Sequence, residues 1–191
     1  MVNDFTRSVL LGFLSLLILS CGGGEDKVKN KKELTSHRIS TNKKAVVNTT
    51  VDSSLIAPNF ALPRMNGEQF QLAKHKGKVI ILNFFATWCG PCIAELPDFI
   101  ALHNAFSSKE VMIIGVSYDV KGWDVVRPFV KKHEINYPVI LDKERTLQEK
   151  YYTTALPNTF IINQQGELAH MIFSPTNEKL LKPLITELIS K

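Results

Sequence analysis

The sequence predicts an α/β domain in which a mixed or parallel β-sheet carries helices on both faces. Two near-continuous apolar runs, residues 78–85 and 111–116, have strand length and no polar alternation, as strands covered on both sides require. Other segments carry helical spacing, with Leu96, Phe99, Ile100, His103 and Phe106 along one face and Leu180, Leu181, Leu184, Ile185, Leu188 and Ile189 along another. Strand and helix signals alternate from residue 55 to residue 191, and no internal repeat is visible.

Taken in order, residues 60–62 and 69–72 flank the turn dipeptide Asn66-Gly67 and predict a short hairpin. Residues 78–85 form the first long strand, and 91–106 a helix in which Pro97 would break the bond to the Ile93 carbonyl and kink the axis. Residues 111–116 are a second buried strand, 125–132 a helix, 139–141 a short strand and 146–152 a helix. After Leu156-Pro157, residues 159–162 and 168–173 are strands joined by a turn at Gln165-Gly166. In the final helical stretch Pro183 either kinks the helix or marks its true start.

Composition excludes several classes. The chain has 191 residues, 45% of them apolar and 21% charged, which suits a globular core and rules out global disorder, collagen and a multi-span membrane protein. The net charge of +5 is uneven: 8 basic and 5 acidic residues precede residue 54, and 15 and 13 follow. The folded part is therefore nearly neutral and lacks the single-sign face that a nucleic-acid partner requires.

Residues 9–19 are an apolar run too short to span a bilayer, preceded by Arg7, as in the core of a signal peptide. The run ends at Ile18-Leu19-Ser20-Cys21, which resembles the lipobox of bacterial lipoproteins, in which the cysteine thiol receives the lipid and becomes the first residue. Ordinary secretion and an uncleaved anchor are the alternatives, and all three place the body outside the cytoplasm. Residues 22–54 are rich in Gly, Lys, Asn, Ser and Thr without periodicity and read as a tether. Their lysines could touch anionic headgroups, but a plain solvated linker is the favoured reading. The organisation expected is a lipoprotein signal peptide at 1–20, a lipidated cysteine and flexible tether at 21–54, and one domain at 55–191.

The chemistry lies in Trp88-Cys89-Gly90-Pro91-Cys92, directly after a strand and opening a helix. Cysteines at i and i+3 across a first helical turn are close enough for a redox disulfide, Cys89–Cys92. Cys89 faces the free N–H groups and positive dipole end of the helix, which favour thiolate, the nucleophile of disulfide exchange. Cys92, one turn in and less exposed, would resolve the mixed disulfide. Gly90 leaves room for substrate, Pro91 suits a first turn, and Trp88 would shield the sulfurs. A zinc site needs two further ligands, yet there is no second C-x-x-C, and His75, His103, His133 and His170 are scattered, so neither metal nor cofactor is expected.

These residues, with Ala57-Pro58-Asn59-Phe60, Lys76-Gly77-Lys78-Val79, Glu95-Leu96-Pro97, Gly115-Val116-Ser117 and Leu156-Pro157-Asn158-Thr159-Phe160, resemble the TlpA/ResA group of thioredoxin-like thiol/disulfide oxidoreductases, within the AhpC/TSA and Redoxin-like superfamily. The resemblance implies a thioredoxin fold with an N-terminal β-hairpin and an inserted helix-strand element, here about residues 123–141. It also implies a membrane-anchored enzyme acting on disulfides of extracytoplasmic proteins, recharged by a membrane thiol electron donor, with cytochrome c maturation among the possible tasks. Asn83 stands where thioredoxins carry a buried Asp, so proton transfer falls to Glu95, which matches an acidic residue of the group. Pro157 matches the cis-proline of the family, which would leave the backbone of Leu156 free to pair with an extended substrate. Leu156 stands where family members often carry Thr or Val and makes the groove more apolar, and Asn158 stands where many have Thr, so substrate preference does not carry over from the family.

Two other functions share this fold. A thiol peroxidase sets its cysteine after P-x-x-x-[TS]-x-x, whereas residue 86 is Ala; a copper module of the SCO type carries C-x-x-x-C and a distant His, one residue longer than the spacing here. Gly90-Pro91 between the cysteines leans toward a reductase, as in thioredoxin.

Overall fold

A computed structural model describes residues 55–106 and 110–190. The proposed signal peptide, Cys21 and the tether lie outside the described residues.

The central sheet has five strands in the order β5-β4-β3-β6-β7. Strand β3 (Val79–Phe85) occupies the middle, and every one of its residues is buried, which is why its sequence is continuously apolar. It runs parallel to β4 (Val111–Ser117), with Ile81 opposite Ile113, and antiparallel to β6 (Asn158–Ile162), with Ile81 opposite Ile161. Strand β5 (Val139–Leu141) extends the parallel side beyond β4, and β7 (Leu168–Ile172) pairs antiparallel with β6. The sheet is therefore mixed. Near the N-terminus β1 (Ala61–Pro63) and β2 (Gln69–Gln71) form the expected hairpin around Gly67, whose φ of 87° demands glycine.

Alternation along β3 divides the core in two. Val79, Ile81 and Phe85 face α1 (Gly90–Ala105), α2 (Trp123–Lys132) and α4 (Glu178–Ile189), packing on Leu96, Phe99, Val126, Leu181 and Ile185. Ile80, Leu82 and Phe84 face the opposite side, where Phe60, Phe70, Tyr151 and Phe160 close the core. Phe84 sits among rings there, with centroids of Tyr118, Tyr151 and Phe160 at 5.4, 5.5 and 5.4 Å. Asn83 interrupts the first face with a polar side chain, and this interruption positions the site.

Several boundaries differ from the sequence expectation. Helix α4 begins at Glu178 and not at Pro183, because the Asn177 side chain accepts from the Leu180 N–H at 3.0 Å and caps it earlier. Helix α3 (Thr146–Lys150) stops short of residue 152 because Tyr152 has φ 54°, outside the helical region. Helix α1 runs through Pro97 as one continuous element. Residues 72–75 form a short 3₁₀ turn where the sequence suggests the end of a strand.

Candidate active site

Cys89 is the N-cap of α1: its backbone is extended, and its Sγ accepts from the Cys92 N–H at 3.3 Å. Pro91 lies in the first turn, where its missing N–H costs no helix bond. Cys89 and Cys92 are joined by a disulfide, with Cα atoms 5.3 Å apart. Both are buried, Cys89 at 6% and Cys92 at 2% exposure, so the outer sulfur belongs to Cys89. Trp88 is 66% exposed, so it stands beside the disulfide as one wall of a groove and does not cover it.

The turn that presents Cys89 is anchored from β4. Asp119, almost fully buried, accepts from the Thr87 N–H at 3.0 Å, the Thr87 hydroxyl at 2.6 Å and the Ser117 hydroxyl at 2.9 Å. Three donors satisfy one carboxylate just ahead of the disulfide. A further bond from the Tyr118 N–H to the Phe85 carbonyl, 3.0 Å, ties the ends of β3 and β4 together.

Behind the disulfide lies Glu95, one turn after Cys92 and 2% exposed, which removes the reading of it as a solvated helix residue. Its Oε1 accepts from the Thr176 N–H at 2.5 Å. Burial pushes its pKa up to about 7, against the opposing pull of the Thr176 bond and of the Asn83 amide. Asn83 also donates to the Thr159 hydroxyl at 3.3 Å, across the β3–β6 register. Tyr137 is buried near this carboxylate, and its hydroxyl is held protonated by burial and by the charge of Glu95. Helix α1, strands β3 and β6 and the segment before α4 thus contribute to one buried polar cluster around Glu95.

A groove of about 440 Å³ opens over the disulfide. Trp88, Cys89, Gly90, Pro91 and Leu156 line it, together with Tyr118, Arg145, Gln148, Thr153, Thr154 and Ala155. The Leu156–Pro157 peptide is cis, and Pro157 is buried behind the groove wall. Asn158 folds back to donate to the Ala155 carbonyl. Neither the N–H nor the carbonyl of Leu156 takes part in a hydrogen bond among the described residues.

Sequence reasoning singles out the contiguous motif, Glu95 and the proline pair, and the structure brings these together. It misses Asp119, Tyr137, Thr176 and the far wall of the groove, Arg145 to Ala155. Thr176 is 81 residues from Glu95, and nothing local in the sequence signals that bond.

Comparison with known proteins agrees with this geometry. Residues 55–171 match the AhpC/TSA family. The chain is 35% identical over 125 residues to the thiol-disulfide oxidoreductase ResA of Bacillus subtilis, covering 65% of this chain and 69% of that one. It is 30% identical over 125 residues to the sporulation thiol-disulfide oxidoreductase A of the same organism, covering 64% and 75%. Among solved structures, StoA from Bacillus subtilis superposes with a TM-score of 0.59 at 28% identity, over 68% of this chain and 98% of that one. A thiol:disulfide interchange protein of the thioredoxin family from Chlorobium tepidum does so with 0.64 at 27% identity, over 73% and 99%.

Proposed function

Because the chain belongs to the AhpC/TSA family and is a protein thiol-disulfide oxidoreductase of thioredoxin fold, we propose that Cys89 and Cys92 are its redox pair and that it works as a reductase outside the cytoplasm. The observation that carries this reading is the Cys89–Cys92 disulfide at the N-terminus of α1, open to a groove, with the buried Glu95 one helical turn after Cys92.

In the dithiol form the Cys89 thiolate attacks a disulfide sulfur of the substrate protein, and a substrate thiolate leaves. Glu95, ionised in part near neutrality, takes the proton from Cys92, and the resulting thiolate attacks the Cys89 sulfur. The bond between Cys89 and the substrate breaks, the second substrate sulfur leaves with the proton held by Glu95, and the enzyme disulfide closes, so the substrate gains two electrons while its first thiolate takes a proton from water. A membrane thiol donor restores the dithiol. An extended substrate segment lies against the unpaired backbone groups of Leu156, between Trp88 and Leu156. Pro157 shapes that wall from behind, and Gly90 and Pro91 leave the outer sulfur accessible. The signal-like run, the lipobox-like Ile18-Leu19-Ser20-Cys21 and the tether-like composition that follows support lipidation of Cys21 and placement of the domain at the outer side of a bacterial membrane, with domain limits at residues 1–20, 21–54 and 55–191.

The test is the midpoint potential of the pair, followed by tryptophan fluorescence of the full chain in detergent across thiol/disulfide buffers. A reversible two-electron transition near about −270 mV supports a reductase, whereas a value near about −120 mV makes the protein an oxidant. Absence of any such transition overturns the assignment of the pair. In parallel, Cys92→Ser should accumulate a mixed disulfide with a substrate protein, and Cys89→Ser should not.

A further inference from the structure

Among the residues that line the groove one carries a charge, Arg145. Its charge has no internal partner: the ion pairs among the described residues join Arg64 to Glu68 and Lys182 to Glu178. Of the acidic residues around it, the exposed Glu144 and Glu149 form no ion pair with it among the described residues, and the buried Asp142 is committed elsewhere. Its two oxygens accept from the Thr146 N–H at 2.8 Å, the Thr146 hydroxyl at 2.9 Å and the Leu147 N–H at 2.8 Å, so the carboxylate is spent on the start of α3.

The same contacts fix where Arg145 stands. It is the N-cap residue of α3 in the left-handed region, φ 55° and ψ 36°, a conformation that a long unbranched side chain adopts only where its surroundings impose it. Its N–H donates to the Asp142 carbonyl at 3.0 Å and its carbonyl accepts from Gln148 at 3.0 Å, which closes the turn on both sides. The rest of the groove is apolar or neutral: Trp88, Tyr118, Leu156 and the hydroxyl-bearing Thr153 and Thr154. Tyr118 offers no anion, since burial keeps its phenol protonated while its hydroxyl pairs with Thr153 at 2.6 Å.

We propose that Arg145 is a specificity-determining residue that selects polypeptide substrates bearing a carboxylate side chain next to the disulfide-bonded cysteine. An exposed, uncompensated guanidinium facing a groove over the reacting sulfur attracts an Asp or Glu and repels a Lys or Arg at that place. The inference rests on the Cys89/Cys92 reading above and adds a substrate class to it.

The test uses the pre-reduced full chain in detergent and short peptides with one cysteine capped as the neutral 2-pyridyl disulfide. The peptides differ only in Glu, Gln or Lys beside the cysteine, and release of pyridine-2-thione gives the rate of attack. Wild type should react about threefold faster with the Glu peptide than with Gln, and about tenfold faster than with Lys. Arg145→Asn, which tolerates the left-handed backbone, should level the three rates; Arg145→Lys should keep the order and Arg145→Glu should reverse it. About 1 M salt should compress the wild-type range. Equal rates within about twofold in the wild type, or a Glu preference that survives in Arg145→Asn, overturn the proposal. The rate with the uncharged 2,2′-dipyridyl disulfide is measured for each protein and divides out any change in the reactivity of Cys89 itself, so that the ratios among the peptides decide. If Cys89→Ser matches the wild type on that reagent, the oxidoreductase assignment of the pair itself falls, and the proposal with it.

Discussion

The main-chain N–H of Thr176 donates to Glu95 Oε1 across 2.5 Å, tying the segment that enters α4 to the second turn of α1, one turn after Cys92. Two opposed effects meet at this carboxyl group. The Thr176 bond and the Asn83 amide favour the ionised form, while removal from water favours the acid and prevails, leaving a pKa of about 7. A group balanced near neutrality exchanges protons in either direction with little driving force, which suits transfer to and from a buried thiol.

That balance has a measurable effect on stability. In the unfolded chain Glu95 titrates near 4.5, and in the folded one near about 7, so the folded state holds the proton more tightly. The stabilisation by protonation is fully present below the unfolded value and disappears as pH rises through the folded one, a loss of roughly 3 kcal/mol at about 1.4 per unit. Urea unfolding of the oxidised protein at about pH 5 and about pH 8 should show this fall, and Glu95→Gln should remove most of it. Equal slopes in the two proteins would mean that Glu95 titrates normally.

The parts of this site that were legible in the sequence are those encoded contiguously. The apolar run of β3 leads into Trp88-Cys89-Gly90-Pro91-Cys92, and one strand-to-helix junction fixes both sulfurs. Glu95 and the cis peptide at Leu156–Pro157 follow from the resemblance of the residues around them to the TlpA/ResA group. What stayed hidden depends on contacts between distant segments. Thr176 has no local signature, Asp119 looks like any acidic turn residue, and Arg145 faces the groove only because Asp142 caps α3. The early end of α3 at Lys150 is of the same kind, since Tyr152 turns left-handed where the sequence continues to read as helix.

Asp119 supports the active-site turn without touching the sulfurs. Its carboxylate collects the Thr87 N–H, the Thr87 hydroxyl and the Ser117 hydroxyl, so Asp119→Ala leaves a half-buried main-chain donor and the buried Ser117 hydroxyl without this acceptor. The expected loss is about 2–3 kcal/mol of stability, the range for hydrogen bonds to a buried charged acceptor. As a positioning residue it should also lower the rate of disulfide exchange about tenfold while leaving the pH profile set by Glu95 in place. Asp119→Asn, which retains acceptors for Thr87, should recover part of both effects. An unchanged rate in the Ala variant would show that the turn before Cys89 holds its geometry without this anchor.

Gly115 in β4 is constrained by packing, since a Cβ there would lie 3.1 Å from Phe85 Cε1, 3.3 Å from Tyr137 Cε2 and 3.3 Å from Val139 Cγ2. Two of these neighbours belong to the core around the site: Phe85 ends the strand that delivers Cys89, and Tyr137 lies beside Glu95. Adding one methyl group to a filled interior displaces side chains from their rotamers, so Gly115→Ala should cost about 1–3 kcal/mol. If the cost is steric, Val139→Ala opens space on one side, and the double variant should be more stable than the sum of the single losses predicts by about 1 kcal/mol. Urea midpoints of the four proteins decide the matter. Strict additivity would locate the strain at Phe85 and Tyr137, whereas a Gly115→Ala variant as stable as the wild type would show that the rings yield freely and that packing does not require glycine at this position.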